Sequence, residues 1–288
     1  MHGLTRAAPA IFVILWSSAF VGARYGLPHA DPLTFLATRF ALVTAVLGCC
    51  ALAVRAPWPR GPVAWGHVAL VGFLVQGVYL AGTFVAIDLG VPVGVVALIL
   101  GLQPILTMVW TWGRGGTDGR ITGIQALGVV LGFAGLVLVL WDRIDPGETK
   151  FVAVLPVVIG LLCISAGTLH QRRYCAGMNL LTGGAIQSAT AMLAAGAAAW
   201  AFEEMRIDWT VDFIGALAWM VIVVSLGAHS LFLFLLRRNQ ATRVTSLFYL
   251  TPPTAAVMAW AMFDETLTAV ALAGMAVTVA GVALATRE

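Results

Sequence analysis

Most side chains of this 288-residue chain are hydrocarbon, so the few that donate, accept or carry charge stand out by position. Arg39 interrupts an apolar run from 33 to 54. Polar or aromatic groups recur near the centres of other apolar runs: Trp16, Ser17 and Ser18; Gln76, Tyr79 and Thr83; Gln103; Cys163 and Ser165; Gln187 and Ser188; Ser225 and His229; Tyr249 and Thr251. Hydroxyls, amides, ring faces and one guanidinium are groups for holding a small molecule. Tyr79 and Thr83 are four apart, as are Ser225 and His229, so each pair shares a helix face. The candidate substrate-binding residues are Trp16, Ser17, Arg39, Tyr79, Thr83, Gln103, Gln187, His229, Tyr249 and Thr251. For each, an interhelical hydrogen bond is the alternative use. For Arg39 the alternative is to snorkel outward or to tie helix ends through carbonyls.

Bond-breaking chemistry needs other groups. The chain has one lysine, Lys150, in a polar link, and therefore no phosphate-binding Walker loop. It has no HExxH and no GxSxG, and no carboxylate lies near the middle of an apolar run. Cys49, Cys50, Cys163 and Cys175 form neither a CxxC nor a Cys/His spacing, so they read as small apolar fillers without disulfide or zinc. The expectation is no catalytic residues, no metal and no cofactor, and the chain does not read as an enzyme.

The elements that must position these groups are set by composition. Apolar residues make up 60% of the chain and charged residues 10%, with a mean hydropathy of +0.96. A soluble domain carries about a quarter of its residues as charges, so the main solvent here is lipid. The net charge of +3 is scattered singly or in pairs, which argues against nucleic acid. Ten stretches are free of Asp, Glu, Lys and Arg: 7–23, 40–54, 61–87, 89–113, 121–141, 151–171, 174–202, 213–236, 244–263 and 266–286. A helix needs about 20 apolar residues to cross a bilayer. The second stretch is short only because Arg39 cuts it, at a depth of roughly 10 Å along a helix. The first could imitate a signal peptide, but no small-residue cleavage site follows it. Links such as 25–32, 55–62, 113–120 and 142–150 hold the prolines, glycines and charges that end helices. The sequence thus predicts an all-α, multi-pass integral membrane protein of ten transmembrane helices.

With the N-terminus inside, the cytoplasmic side collects eleven of the Lys and Arg residues and the other side four. Both termini are therefore expected in the cytoplasm.

The chain also repeats itself. Leu102-Gln103-Pro104 matches Leu250-Thr251-Pro252 at an offset of 148, Gly128 and Gly135 match Gly274 and Gly281 at 146, Thr122 matches Thr268 at 146, and Ser18-Ala19 matches Ser165-Ala166 at 147. The expected halves are 1–145 and 146–288, five spans each. Five is odd, so the second half must enter the membrane from the opposite face. Such inverted repeats characterise secondary transporters, in which two halves flank a midplane site. Pro104 and Pro252-Pro253 fall at matching positions and mark either that site or packing kinks. The glycines at 128, 132, 274 and 281 read as close helix packing, and a monomer or a dimer is compatible with them.

LWSSAFVGARYGL (15–27), DPLTFLATRF (31–40), VPVGVVALILGLQPILTMVW (91–110) and FYLTPPTAAVMAWAMFDETLT (248–268) resemble the drug/metabolite transporter superfamily, specifically its ten-helix EamA type and the YddG-like aromatic and broad-specificity amino acid exporters. The resemblance covers essentially the whole chain. It implies export of amino acids, aromatic and other neutral or zwitterionic metabolites, across a bacterial inner membrane by alternating access. Export of other small metabolites or drugs, or an uncoupled facilitator, is the alternative. The family's acidic turn after the fourth and ninth spans is present as Glu265 and missing from GRGGTDGR at 113–120. With no buried carboxylate, the expected driving force is the substrate's own gradient. His229 is a better proton carrier than His170, which sits beside Arg172 and Arg173.

Overall fold

The computed structural model describes residues 2–89, 91, 96, 99–113, 122–141, 151–238, 241–263 and 268–286. Asp264-Glu265, the link 114–120 and the link 142–150 with Lys150 lie outside the described residues.

The described residues are helical almost throughout. The helices are α1 (Ala7–His29), α2 (Pro32–Ala53), α3 (Pro62–Asp88), α4 (Gln103–Gly113), α5 (Gly123–Leu140), α6 (Phe151–Tyr174), α7 (Leu180–Phe202), α8 (Val211–Arg238), α9 (Ala241–Ser246), α10 (Thr251–Phe263) and α11 (Ala269–Ala285). Six candidate spans, within α1, α2, α3, α6, α7 and α8, are long and apolar enough to cross a membrane, and α5 and α11 are shorter apolar helices. Large apolar side chains such as Leu52, Val152, Leu193, Phe202, Ile222 and Val279 lie exposed around the bundle. Water would penalise them; hydrocarbon does not.

Helix starts follow from capping. Thr122 and Gln125 form a reciprocal capping box at α5, and Thr268 accepts from the Ala271 N–H at α11. The paired threonines of the repeat thus do the same job. Asn179 and Thr210 cap α7 and α8. Helix α2 borrows its cap from elsewhere in the chain: the Glu203 carboxylate, just past α7, accepts from the Leu33 and Thr34 N–H groups at 2.7 and 2.8 Å. Beside it, Ala30 and Ile207 make an antiparallel bridge, and the Arg206 N–H donates to Asp31 at 2.9 Å. One end of the bundle is joined there.

The prolines of the repeat do not kink helices. Pro104 lies in the first turn of α4, and Pro252-Pro253 in the first turn of α10, where no intrahelical acceptor waits for their absent N–H. A turn at Gly101-Leu102 and a 3-10 turn at Leu247–Leu250 precede them. Two π-helical stretches, Gly72–Val78 in α3 and Met220–Ala228 in α8, lie at corresponding places in the sequence repeat.

Helices in register by that repeat pack against each other. A Cβ on Gly184 would meet Leu47, and one on Gly196 would meet Ala37, so α2 and α7 run antiparallel. Along α5 and α11 backbone meets backbone: Gly128 faces Gly281 and Ala285, Gly132 faces Gly281, and Gly135 faces Gly274 and Thr278. A Cβ on Gly128, Gly274 or Gly281 would run into backbone there. Across counterparts, α3, which corresponds to α8, lies antiparallel along α6, with Gly82 on Pro156, and α1, which corresponds to α6, lies antiparallel along α8, with Gly22 on Met220.

Candidate functional site

Near the middle of α3, α7 and α8, side-chain amides and one imidazole meet. The π stretch in α3 carries Gln76. Its Nε2 lies 3.4 Å from Gln187 Oε1 and 3.1 Å from His229 Nε2, and its Oε1 accepts from the Ser188 hydroxyl at 3.4 Å. Gln187 Oε1 is 3.3 Å from the same histidine nitrogen, and Gln187 Nε2 donates to Gln171 of α6 at 2.8 Å. His229 Nε2 therefore faces one amide donor and one amide acceptor, and finds a partner whether it is protonated or bare. Lipid offers no such partner, which is why these groups are gathered between helices. A π turn leaves backbone and side chains out of ordinary α register, a distortion that recurs at functional sites.

The second π stretch carries Ser225, whose hydroxyl accepts from Arg39 Nε at 2.8 Å. Arg39 is 5% exposed, and Tyr79 and His229 lie within its electrostatic reach. On the far side of His229, Phe12, Trp16, Phe232 and Phe248 form an aromatic cluster. The rings of Trp16 and Phe248 are 5.1 Å apart and nearly perpendicular, and the His229 ring lies 6.1 Å from Phe232. The arrangement offers a cation, amides and hydroxyls on one side and ring faces on the other.

The predicted residues divide. Arg39, Tyr79, Gln187 and His229 converge on this region, and Trp16 lies in the aromatic cluster. Thr83 spends its hydroxyl on the Tyr79 carbonyl at 2.8 Å, and Ser17 donates to the Thr251 carbonyl at 3.2 Å, joining α1 to α10. The Thr251 hydroxyl is buried without a partner among the described residues. Gln103 donates to Thr168 of α6 at 3.4 Å, three residues before Gln171 on the same helix. Tyr249 is fully buried against Gly132 of α5, and its hydroxyl also lacks a partner among the described residues.

The candidate set omitted Gln76, Gln171, Phe12, Phe232 and Phe248. Gln171 adjoins Arg172 and reads as a membrane edge, and a phenylalanine in an apolar run carries no mark of its own. The four-residue step from Phe12 to Trp16 was the available signal.

A bundle of apolar helices around a polar and aromatic centre defines a membrane transporter. The sequence pattern of the EamA-like transporter family matches residues 8–141 and again 151–287, and the chain belongs to that family. It is a multi-pass membrane protein. Among its relatives, "Uncharacterized inner membrane transporter YedA" of Escherichia coli (strain K12) is 25% identical over 95% of this chain and 87% of that protein. "Uncharacterized transporter YvbV" of Bacillus subtilis (strain 168) is 24% identical over 96% and 89%. A "Probable amino-acid metabolite efflux pump" of E. coli K12 is 22% identical over 94% and 91%. A solved crystal structure has a TM-score of 0.80 at 21% identity, over 97% of this chain and 95% of that one, which is a likeness of fold.

Proposed function

We propose that the chain is a secondary transporter that exports amino acids, aromatic and other neutral or zwitterionic metabolites, across a bacterial inner membrane. It does so by alternating access between two inverted five-helix halves, 1–145 and 146–288, ten spans in all with both termini in the cytoplasm. The observation that carries this reading is the central cluster of Arg39, Gln76, Tyr79, Gln187, Ser225 and His229, to which segments before and after residue 145 both contribute. Reciprocal antiparallel packing of α2 with α7 and of α5 with α11 supports the inverted relation. The efflux-pump relatives support the direction and the amino acid class, and YedA supports the inner membrane.

The test is counterflow of labelled phenylalanine in liposomes containing the purified protein. Saturable exchange is expected. Flux that never saturates would mean a channel, and conversion of the substrate to another compound would mean an enzyme. The proposed driving force is the substrate gradient, so counterflow should persist without a pH gradient and His229→Gln should retain it. Uphill accumulation under an imposed pH gradient, lost only in His229→Gln, would instead make His229 the coupling site.

A further inference from the structure

Arg39 is a buried arginine with neither an acidic partner nor a backbone carbonyl to satisfy it among the described residues. Arg237, half-buried in the last turn of α8, by contrast donates from Nη2 to the Met178 carbonyl. Arg39 spends Nε on Ser225, and its guanidinium carbon lies 5.3 Å from the centre of the Phe40 ring. Ser225 takes only the Nε–H, and the structure shows no hydrogen bond from the two terminal nitrogens, with their four N–H donors, among the described residues. All thirteen Asp and Glu of the chain fall in the links between apolar runs or at their ends.

A guanidinium taken out of water costs several kcal/mol unless an anion faces it. One hydroxyl and one ring face do not supply that anion. Tyr79 and His229, the titratable groups in electrostatic reach, are a phenol and an imidazole and not carboxylates. The free side of a guanidinium is a planar fork of two parallel N–H pairs, the shape that matches a carboxylate. One fixed cation neutralises one negative charge, so a dianion such as a phosphate ester would keep a second charge buried and unpaired. Beyond His229 lies the Phe12, Trp16, Phe232 and Phe248 cluster, suited to an apolar or aromatic body.

We propose that Arg39 is the seat of the substrate's carboxylate, and that the site takes monocarboxylates with an apolar or aromatic body, amino acids being one class of them. The proposal rests on the transporter reading of this site and goes further by naming the group the substrate must carry. The substrate's carboxylate is the anion that pairs with the Arg39 guanidinium.

The test uses the full chain in lipid nanodiscs and equilibrium binding of three probes: L-phenylalanine, 3-phenylpropionate, which keeps the carboxylate and lacks the amine, and L-phenylalaninamide, which keeps the amine and lacks the carboxylate. The two acids should bind the wild-type protein more tightly than the amide. Arg39→Gln should weaken both acids by about a hundredfold and leave the amide unchanged, and Arg39→Lys should fall between. The wild-type comparison needs no variant, so it stands if Arg39→Gln fails to fold. Equal binding of the amide and the acids, or an unchanged acid-to-amide ratio in Arg39→Gln, overturns the proposal. If 3-phenylpropionate binds in an Arg39-dependent way but no amino acid exchanges in liposomes, the carboxylate seat stands and the amino acid reading falls. If amino acids exchange and the amide competes equally, the transporter reading stands and the carboxylate seat falls.

Discussion

Gln187 is fully buried and holds Gln171 on one side and Gln76 with His229 on the other. Replacing it by leucine strands at least one buried amide, which costs about 1–3 kcal/mol. Gln187→Leu should therefore melt earlier in detergent than the wild-type protein, while a lipid-facing change such as Leu193→Val should not shift the melt. Cys175 gives a second prediction at this scale. It lies between α6 and α7 and is buried, and burial pushes its thiol up to about 11. An acid raised this far stays protonated through pH 8 and ionises only as the pH climbs toward 11. Maleimide at pH 7.5 should leave Cys175 unlabelled, as read by mass spectrometry of the intact folded protein. Of the site, Arg39, Tyr79, Gln187 and His229 were legible in the sequence because a polar residue deep in an apolar run is anomalous there. Phe232 and Phe248 were not, because hydrocarbon and aromatic residues among others of their kind look alike until packing chooses which of them meet.

Helix ends are where this chain joins segments far apart in sequence. The Glu203 carboxylate accepts from two N–H groups and the Thr34 hydroxyl at the start of α2, the place where a negative charge best meets the helix dipole. Glu203→Gln keeps one acceptor and loses the charge, which should cost about 1 kcal/mol. The expected result is a lower melting temperature with α-helical content unchanged by circular dichroism. Glu203 carries no mark in the sequence, since nothing in a local pattern reveals a cap supplied by a distant segment. The threonines at 122 and 268 stood out in the sequence only as a matched pair of the repeat, and their capping, which is local, came with the structure. The prolines taught the same: their pairing in the repeat was visible, but a missing N–H is harmless at a helix start, and there the structure puts them.

At the scale of the molecule, the bridge between Ala30 and Ile207 closes one end of the bundle. On the alternating-access reading that joint must part during transport. In a background lacking the four native cysteines, Ala30→Cys with Ile207→Cys should form a disulfide across the bridge, whose backbone spacing suits one. Oxidised protein should lose counterflow and regain it on reduction. Undiminished exchange by the oxidised form would show that this joint stays shut throughout the cycle.

The glycine seam of α5 and α11 has a consequence for how the chain assembles. Gly128 meets Gly281, and Gly135 meets Gly274, while in the sequence repeat Gly128 corresponds to Gly274 and Gly135 to Gly281. Each face is thus complementary to its own counterpart, as the two sides of an isologous dimer are. A chain cut in the link near 145 should then find itself again: fragments 1–145 and 146–288, expressed separately in one cell, should copurify and exchange substrate. Gly281→Leu, which drives a side chain into the backbone of Gly132, should leave the fragments apart.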